Sequence, residues 1–144
     1  MSVIVSKPTT PVMGRYASGL AAGLLIGLVG FQLALAFGAP WGRAAYGGAT
    51  EQPGLELRVS SAVASVLWSV VALVILRRGG HGVPGVIPRP ALPITMWIVV
   101  ALLAVGLVLN LITPSELERM IWAPVTAVLL VATMATELSA RKHR

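Results

Sequence analysis

The chain lacks cysteine and contains only two histidines, His81 and His143. The absence of cysteine excludes disulfides, thiolate nucleophiles, cysteine-ligated zinc and iron–sulfur clusters. With so few histidines, we do not expect a multi-histidine metal or haem site within one chain. The sequence also carries no nucleotide-binding motif. It therefore predicts no catalytic residue, no metal site and no cofactor.

Charged residues are scarce as well. They make up 11% of the 144 residues, whereas hydrophobic residues make up 56%. An ordinary soluble domain has roughly 25% charged residues. A soluble fold of this size leaves many side chains on its surface, and those would have to be polar. The composition therefore indicates a chain that is surrounded by lipid.

Four apolar stretches are long enough to cross a hydrocarbon core of about 30 Å, which takes about 20 helical residues. They cover approximately residues 16–37, 57–76, 93–112 and 114–138, and none has a charged residue near its middle. Because a bilayer offers the backbone no hydrogen-bond partner, each stretch is predicted to be helical. The predicted fold class is all-α: a polytopic four-helix transmembrane bundle, residues 16–139, built of two antiparallel hairpins.

Basic residues are concentrated on one side of the predicted bundle. Eight of the eleven lie before the first span, between the second and third, or after the fourth: Lys7, Arg15, Arg77, Arg78, Arg89, Arg141, Lys142 and Arg144. Positive segments are retained in the cytoplasm during insertion. We therefore expect the N-terminal tail (residues 1–15), the middle loop and the basic C-terminal tail (residues 140–144) to be cytoplasmic. The expected location is a bacterial plasma membrane.

The net charge of +6 does not indicate nucleic-acid binding, because the basic residues are not interleaved with aromatic residues on one face. Membrane lipid is the expected partner. The first span has one alternative interpretation, a secretory signal peptide, since Ala34-Leu35-Ala36 resembles a cleavage site. Its apolar region exceeds the usual length of about 7–15 residues, which favours a membrane helix.

The connection between the third and fourth spans is very short. Thr113 is predicted to be the N-cap, with Pro114 at the first helical position and Glu116 at the third, as in a capping box. The last helix should therefore begin at about Thr113. A turn this tight predicts that the two helices it joins are antiparallel. Pro124 should bend the last helix.

Gly19, Gly23 and Gly27 have a four-residue spacing and lie along one face of the first helix. Small residues let membrane helices approach closely, so this face is predicted to be a packing surface. We favour a partner helix of the same chain, on which Ser61, Ala64, Ser65 and Ala72 form a matching face. A second subunit is the alternative partner.

Gln32 and Asn110 are the notable amides within the spans. An unpaired amide in hydrocarbon costs several kcal/mol, so each must face protein or water. With other residues near the predicted external boundary they form a candidate set: Gln32, Trp41, Arg43, Arg58, Asn110, Glu116, Glu118, Arg119 and Trp122. We expect Glu56, Arg58, Glu116, Glu118 and Arg119 to pair across the hairpins. Glu137 should pair with Arg141, four residues on.

Two parts of the chain carry short motifs near this boundary. They are FGAPWGR at 37–43 followed by Tyr-Gly-Gly at 46–48, and Asn-Leu-Ile-Thr-Pro-Ser at 110–115 followed by Glu118, Arg119 and Trp-Ala-Pro at 122–124. These motifs resemble those of small uncharacterised four-span membrane proteins of Gram-positive bacteria. The resemblance extends over the whole chain. It implies the four-span layout and no activity.

Three functions fit the sequence. The first is a non-enzymatic accessory or structural subunit, in a homo-oligomer or a larger membrane complex, which the glycine face motivates. The second is a small transporter or channel, for which Gln32 and Asn110 would line a water-accessible cavity. The third is a lipid-modifying membrane enzyme, which would need Glu116, Glu118 or Arg119 in a convergent site. The first is the leading expectation.

Overall fold

The computed structural model describes residues 12–142, which form four α-helices. They are α1 Val12–Ala36, α2 Leu55–Arg78, α3 Leu92–Ile112 and α4 Glu116–Arg141. Each is long and apolar enough to cross a membrane, which confirms the prediction of an all-α chain with four such helices. Residues 12–15 and 140–141, which were predicted to belong to the tails, are helical. Residues 1–11 and 143–144 lie outside the described part.

Glycines end the first two helices. After α1, Gly38 has a φ of 93°, and the N–H groups of Gly38 and Ala39 donate to the carbonyls of Leu35 and Ala34. After α2, Gly80 has a φ of 82° and the same pattern of bonds returns to the last turn. This is the Schellman arrangement, in which a left-handed residue satisfies the free carbonyls at the helix end.

The start of α4 differs from the prediction. Ser115 is the N-cap, and its side-chain oxygen accepts a hydrogen bond of 3.2 Å from the N–H of Glu118. Thr113 instead follows α3 with an extended ψ of 140°. The prediction of a cap at Thr113 was therefore wrong by two residues. Ser115 Oγ also donates to the Arg43 carbonyl oxygen at 2.8 Å, so contact with the loop after α1 favours the later cap.

The four helices do not contact one another equally. α1 packs most extensively on α2, α3 packs on α4, and α1 also packs along α4. α2 and α3 make few contacts by comparison. The helices therefore form a ring in the order α2, α1, α4, α3, and the weakly packed line between α2 and α3 is a seam.

α1 and α2 are in close contact where α2 ends. A Cβ atom added at Gly79 would overlap the side chain of Ser18 and lie 3.1 Å from the carbonyl oxygen of Gly14. The buried face of α1 consists of small residues and one leucine: Gly14, Ser18, Ala21, Ala22 and Leu25, with Leu35 further along. Close approach of small residues is the usual way in which membrane helices pack.

The glycine face predicted for this contact lies elsewhere. Gly19, Gly23 and Gly27 are exposed, and a Cβ atom added at any of them would meet no atom within 4 Å. The expectation that they pack against another helix of the same chain was wrong. On α2, Ser61, Ser65 and Ala72 of the predicted matching face are buried.

The interior of the bundle contains polar as well as apolar side chains. Its core includes Leu25, Ile75, Met96, Leu103 and Leu129, each at most 1% exposed. Four residues of α4 are buried beside this core: Thr126, Thr133, Thr136 and Glu137. The outer faces carry large apolar side chains, among them Ile26, Val63, Ile98, Val105 and Val131. The apolar side chains are thus not confined to the interior, as they would be in a water-soluble bundle.

Arg78 and Glu137 form a buried ion pair at the end of the bundle where α1 begins and α4 ends. Arg78 Nε lies 2.6 Å from Glu137 Oε2, and Glu137 Oε1 also accepts a 2.7 Å bond from Arg141 Nε. The Glu137 side chain is fully buried and that of Arg78 is 8% exposed. The predicted Glu137–Arg141 pair is confirmed, whereas the partner from α2 was not foreseen.

Candidate binding cavity

A cavity of about 320 Å³ lies between the four helices, in the half of the bundle nearer to residues 37–54. All four helices and the loop after α1 contribute to its wall. The lining residues are Leu28, Phe31, Gln32, Ala45, Tyr46, Trp68, Leu102, Leu103, Gly106, Leu109, Asn110, Glu118, Trp122, Val125, Thr126 and Leu129. This volume is at the lower limit of the roughly 300–1,000 Å³ of small-molecule sites.

Gln32 and Asn110, the two amides singled out in the sequence, meet at this cavity. The Asn110 amide nitrogen donates to Thr126 Oγ1 at 2.9 Å and to the carbonyl oxygen of Trp122 at 3.4 Å, which ties α3 to α4. Gln32 Oε1 is buried and has no hydrogen-bond partner. Buried polar atoms are almost always satisfied, so an unpartnered amide oxygen beside a cavity indicates a place for a hydrogen-bond donor.

The loop after α1 forms the roof of the cavity. It contains two short 3₁₀ turns, Gly42–Ala44 and Tyr46–Gly48. The Tyr46 hydroxyl bonds to Ser61 Oγ and to the Leu57 carbonyl oxygen at the start of α2. Tyr46 has a φ of 55°, a value that non-glycine residues rarely adopt. These two bonds hold the tyrosine in its unfavourable backbone conformation over the cavity.

Glu118 connects this roof to α4. Its Oε2 accepts hydrogen bonds from the Gly47 N–H at 2.8 Å and from Thr113 Oγ1 at 3.1 Å. Gly47 and Gly48, with φ of 71° and 73°, turn the chain so that this N–H reaches the carboxylate. The carboxylate lies in the first turn of α4, where the helix dipole attracts negative charge.

Trp122, one turn after Glu118 on α4, also holds the roof. Its indole Nε1 donates a 2.7 Å hydrogen bond to the carbonyl oxygen of Ala44, and its ring contacts Phe31 at a centroid distance of 4.8 Å. Phe31 also stacks on Trp41, with centroids 6.2 Å apart. Aromatic side chains from α1, α4 and the loop therefore form one connected group beside the cavity.

Apolar packing closes the other end of the cavity. Leu103 and Leu129 line it there and are each 1% exposed. Leu25, Met96 and Ile75 belong to the same core cluster. The cavity therefore does not continue through the bundle to the buried Arg78–Glu137 pair.

The remaining residues of the predicted set lie around the cavity and do not line it. Arg58 Nε donates to the Ala36 carbonyl oxygen at 2.9 Å, and Arg119 Nη1 donates to the Thr113 carbonyl oxygen at 3.1 Å. Arg43 lies 3.9 Å from Glu51 in an exposed ion pair. Glu116 is exposed in the first turn of α4. The predicted pairing of Glu56, Arg58, Glu116, Glu118 and Arg119 with one another was therefore wrong. Arg58 and Arg119 bond to backbone carbonyls, and Glu118 bonds to the Gly47 N–H and to Thr113 Oγ1.

Several lining residues were missed in the sequence. Tyr46 and Trp68 resemble ordinary membrane-interface or lipid-facing aromatics, and Thr126 and Gly106 resemble ordinary packing residues. Their common feature is that they lie on faces that meet only in the folded bundle. A partial signal existed for Thr126, which is four residues after Trp122 and therefore on the same face of α4.

A second cavity, of about 360 Å³, lies outside the bundle between α2 and the loop that follows it. Its wall is almost entirely apolar, with Arg77 as the one charged lining residue. Arg77 Nη1 already donates to the carbonyl oxygens of Gly85 and Ile87, at 2.8 and 2.7 Å. Because this cavity has no free convergent polar groups among the described residues, the central cavity is the better candidate.

Within residues 12–142, no three His, Cys, Asp or Glu side chains lie close enough to hold a metal ion. No protein-family model, no curated protein and no solved structure matches the chain. The inference of function therefore starts from the central cavity.

Proposed function

We propose that this chain is a non-enzymatic, multi-pass membrane protein of a bacterial plasma membrane that binds a small molecule in its central cavity, as a small transporter would. The observation that carries the proposal is the convergence of Gln32 and Asn110 on one cavity, with Gln32 Oε1 left without a partner. Among the functions that the sequence allows, a transporter or channel is the one that requires these amides to share a cavity.

The apolar outer faces support insertion into a membrane. Large side chains such as Leu20, Ile26, Val63 and Val131 are between 53% and 67% exposed. Exposed apolar area of this extent is stable in lipid and not in water. An antiparallel hairpin of α1 with α2 is supported by the bond between Arg58 near the start of α2 and Ala36 at the end of α1. A second hairpin, of α3 with α4, is supported by the bond between Asn110 near the end of α3 and Thr126 in the first half of α4. The distribution of basic residues in the sequence supports a cytoplasmic location of both termini and an external location of the cavity roof.

The seam supports entry of the ligand from the bilayer. Trp68 on α2 and Leu102 and Leu109 on α3 line the cavity, and these two helices make few contacts with each other. Leu102 and Leu109 are 39% and 57% exposed, so the cavity wall is continuous with the outer surface at this place. A molecule dissolved in the outer leaflet would reach the cavity by separating two weakly packed helices.

A protection experiment tests the binding function. Val125→Cys introduces a single thiol into the cavity wall and keeps the Asn110–Thr126 hydrogen bond, since Val125 lines the cavity and the chain has no cysteine of its own. The probes are 2-phenylethylammonium, 2-phenylethanol and phenylacetate, which have nearly the same size and differ in charge. We expect at least one of them to slow modification of this thiol by methyl methanethiosulfonate in purified, detergent-solubilised protein.

A space-filling variant shows whether protection takes place in the cavity. Gly106 lines it, and a Cβ atom there meets only Thr126 Cγ2, at 3.8 Å, so Gly106→Leu should occupy the cavity and abolish protection. Gly30→Leu is the matched control, because Gly30 is exposed with no atom within 4 Å of its added Cβ. Absence of protection by all three probes would contradict the proposed function.

An accessory or structural role is the second candidate. The observation that favours it is the exposed face of Gly19, Gly23 and Gly27, which is free to receive a helix of another subunit. Gly23→Leu should then lower the oligomeric mass observed by native mass spectrometry from mild detergent, while Gly30→Leu should not. A monomeric mass for the unsubstituted protein would count against this role.

A further inference from the structure

We infer that the molecule bound by the central cavity is a lipophilic organic cation, a small apolar body that carries a protonated amine. The inference rests on the proposed function and specifies its ligand. Three observations carry it: the free acceptor atoms of the cavity, the carboxylate at its roof, and the aromatic side chains of its wall.

Three acceptor atoms of residues that line the cavity make no hydrogen bond within the described part of the chain. Gln32 Oε1 is buried without a partner. Asn110 uses its amide nitrogen for Thr126 and Trp122, which leaves its carbonyl oxygen as the free atom of the side chain. Glu118 uses Oε2 for both of its bonds, to Gly47 and Thr113, and Oε1 takes part in neither. A ligand that satisfies these atoms must donate hydrogen bonds, as an ammonium group does.

The charge at the cavity is negative and uncompensated. Glu118 lines the cavity, and within residues 12–142 no lysine or arginine forms an ion pair with it. None of the lining residues is basic. Arg119, its neighbour in sequence, bonds to the Thr113 carbonyl oxygen instead. A carboxylate without a counter-charge attracts cations and repels anions.

The aromatic wall favours an organic cation over an inorganic one. Phe31, Tyr46, Trp68 and Trp122 all line the cavity. Aromatic faces attract alkylammonium groups by cation–π interaction. Hard inorganic cations prefer a shell of six or more oxygen ligands, and a cavity walled mainly by leucine and aromatic side chains does not offer one. The apolar body of the ligand would contact Leu28, Leu103 and Leu129.

The same protection assay tests the charge of the ligand. We expect 2-phenylethylammonium to protect Val125→Cys at about one tenth of the concentration that 2-phenylethanol requires, because only the ammonium group carries a charge that pairs with the Glu118 carboxylate. Phenylacetate should protect least. Because the three probes share one ring and similar length, this order reports charge and not fit.

Glu118→Gln removes the charge and keeps one oxygen that can accept the Gly47 and Thr113 hydrogen bonds. We expect it to weaken protection by 2-phenylethylammonium about tenfold and to leave 2-phenylethanol within twofold. Glu116→Gln is the matched control, with the same change of charge on an exposed side chain two residues away that does not line the cavity. It should leave all three probes within twofold.

The outcomes separate the two proposals. If all three probes protect with similar concentrations and Gly106→Leu abolishes their protection, the cavity binds small molecules and the inference of a cation is wrong. If Glu118→Gln and Glu116→Gln weaken 2-phenylethylammonium equally, the effect comes from surface charge, and the inference is again wrong. If none of the probes protects, both the inference and the proposed function fail.

Discussion

Arg78 on α2 and Glu137 on α4, 59 residues apart in the chain, form a bidentate hydrogen-bonded ion pair inside the bundle, with Nε–Oε2 and Nη2–Oε1 distances of 2.6 and 3.2 Å. The bond joins two helices that otherwise make few contacts with each other. It lies at the end of the bundle opposite to the cavity roof. Removal of either partner of this pair should therefore destabilise the bundle.

Arg78→Ala should lower the free energy of unfolding by about 3–5 kcal/mol, because it leaves the Glu137 carboxylate buried with only one remaining partner. Arg141→Ala should cost about 0–1 kcal/mol, since Arg141 is 51% exposed and resembles a surface helix pair. Thermal unfolding in detergent, followed by circular dichroism, measures the difference. Equal losses of unfolding free energy in the two variants would show that Arg78 contributes no more to stability than Arg141 does.

Gly79→Ala should destabilise the contact between α1 and α2. The added methyl group would overlap the Ser18 side chain, and overpacking of this kind costs about 1–3 kcal/mol. Gly82→Ala is the control, because a Cβ atom at Gly82 meets nothing within 4 Å. Adding Ser18→Gly to Gly79→Ala should restore most of the melting temperature. If Ser18→Gly does not restore the melting temperature, the destabilisation does not come from the overlap with the Ser18 side chain.

Gly48→Ala should loosen the cavity roof. Gly48 has a φ of 73°, and its added Cβ would lie 2.9 Å from Ser115 Cβ and Oγ. Backbone strain and crowding together should cost about 1–3 kcal/mol. Gly54→Ala, at an exposed position with nothing within 4 Å, should be nearly neutral. Limited proteolysis within residues 37–54 measures the effect, and equal cleavage rates in the two variants would contradict it.

The orientation in the membrane can be measured directly because the chain has no cysteine. We expect Gly54→Cys to react with a membrane-impermeant maleimide in intact spheroplasts, and Gly82→Cys to react only after the membrane is opened. These glycines lie in the two loops that the basic residues place on opposite sides. Labelling of Gly82→Cys alone in intact spheroplasts would show that the orientation is the opposite of the one expected.

The glycine face shows why helix number was easier to predict than helix packing. In lipid the outer face of a helix is as apolar as its inner face, so the hydrophobic pattern does not show which side is buried. Gly19, Gly23 and Gly27 have the spacing of a packing face, yet the structure buries Ser18 and Ala22 instead. The spacing identified a face of α1 that can pack against another helix. The position of α2 determines which face of α1 is buried.

The capping error at α4 has a local cause. Thr113 and Ser115 both precede a glutamate three residues on, Glu116 and Glu118, so two capping boxes were compatible with the same short segment. Tertiary contacts distinguish them. Ser115 Oγ donates to the Arg43 carbonyl oxygen at 2.8 Å, and Glu118 bonds to Gly47, so the loop after α1 stabilises the later cap.

By itself the sequence determined the four apolar helices and the asymmetry of the basic residues, because length, hydropathy and charge are properties of consecutive residues. It also identified Gln32 and Asn110 as polar groups that need partners. Only the tertiary structure brought them to one cavity. It also brought the Glu118 carboxylate to the N–H of Gly47, 71 residues away. The partner of a buried polar group depends on which helices are neighbours, and that is decided by packing between segments far apart in the chain.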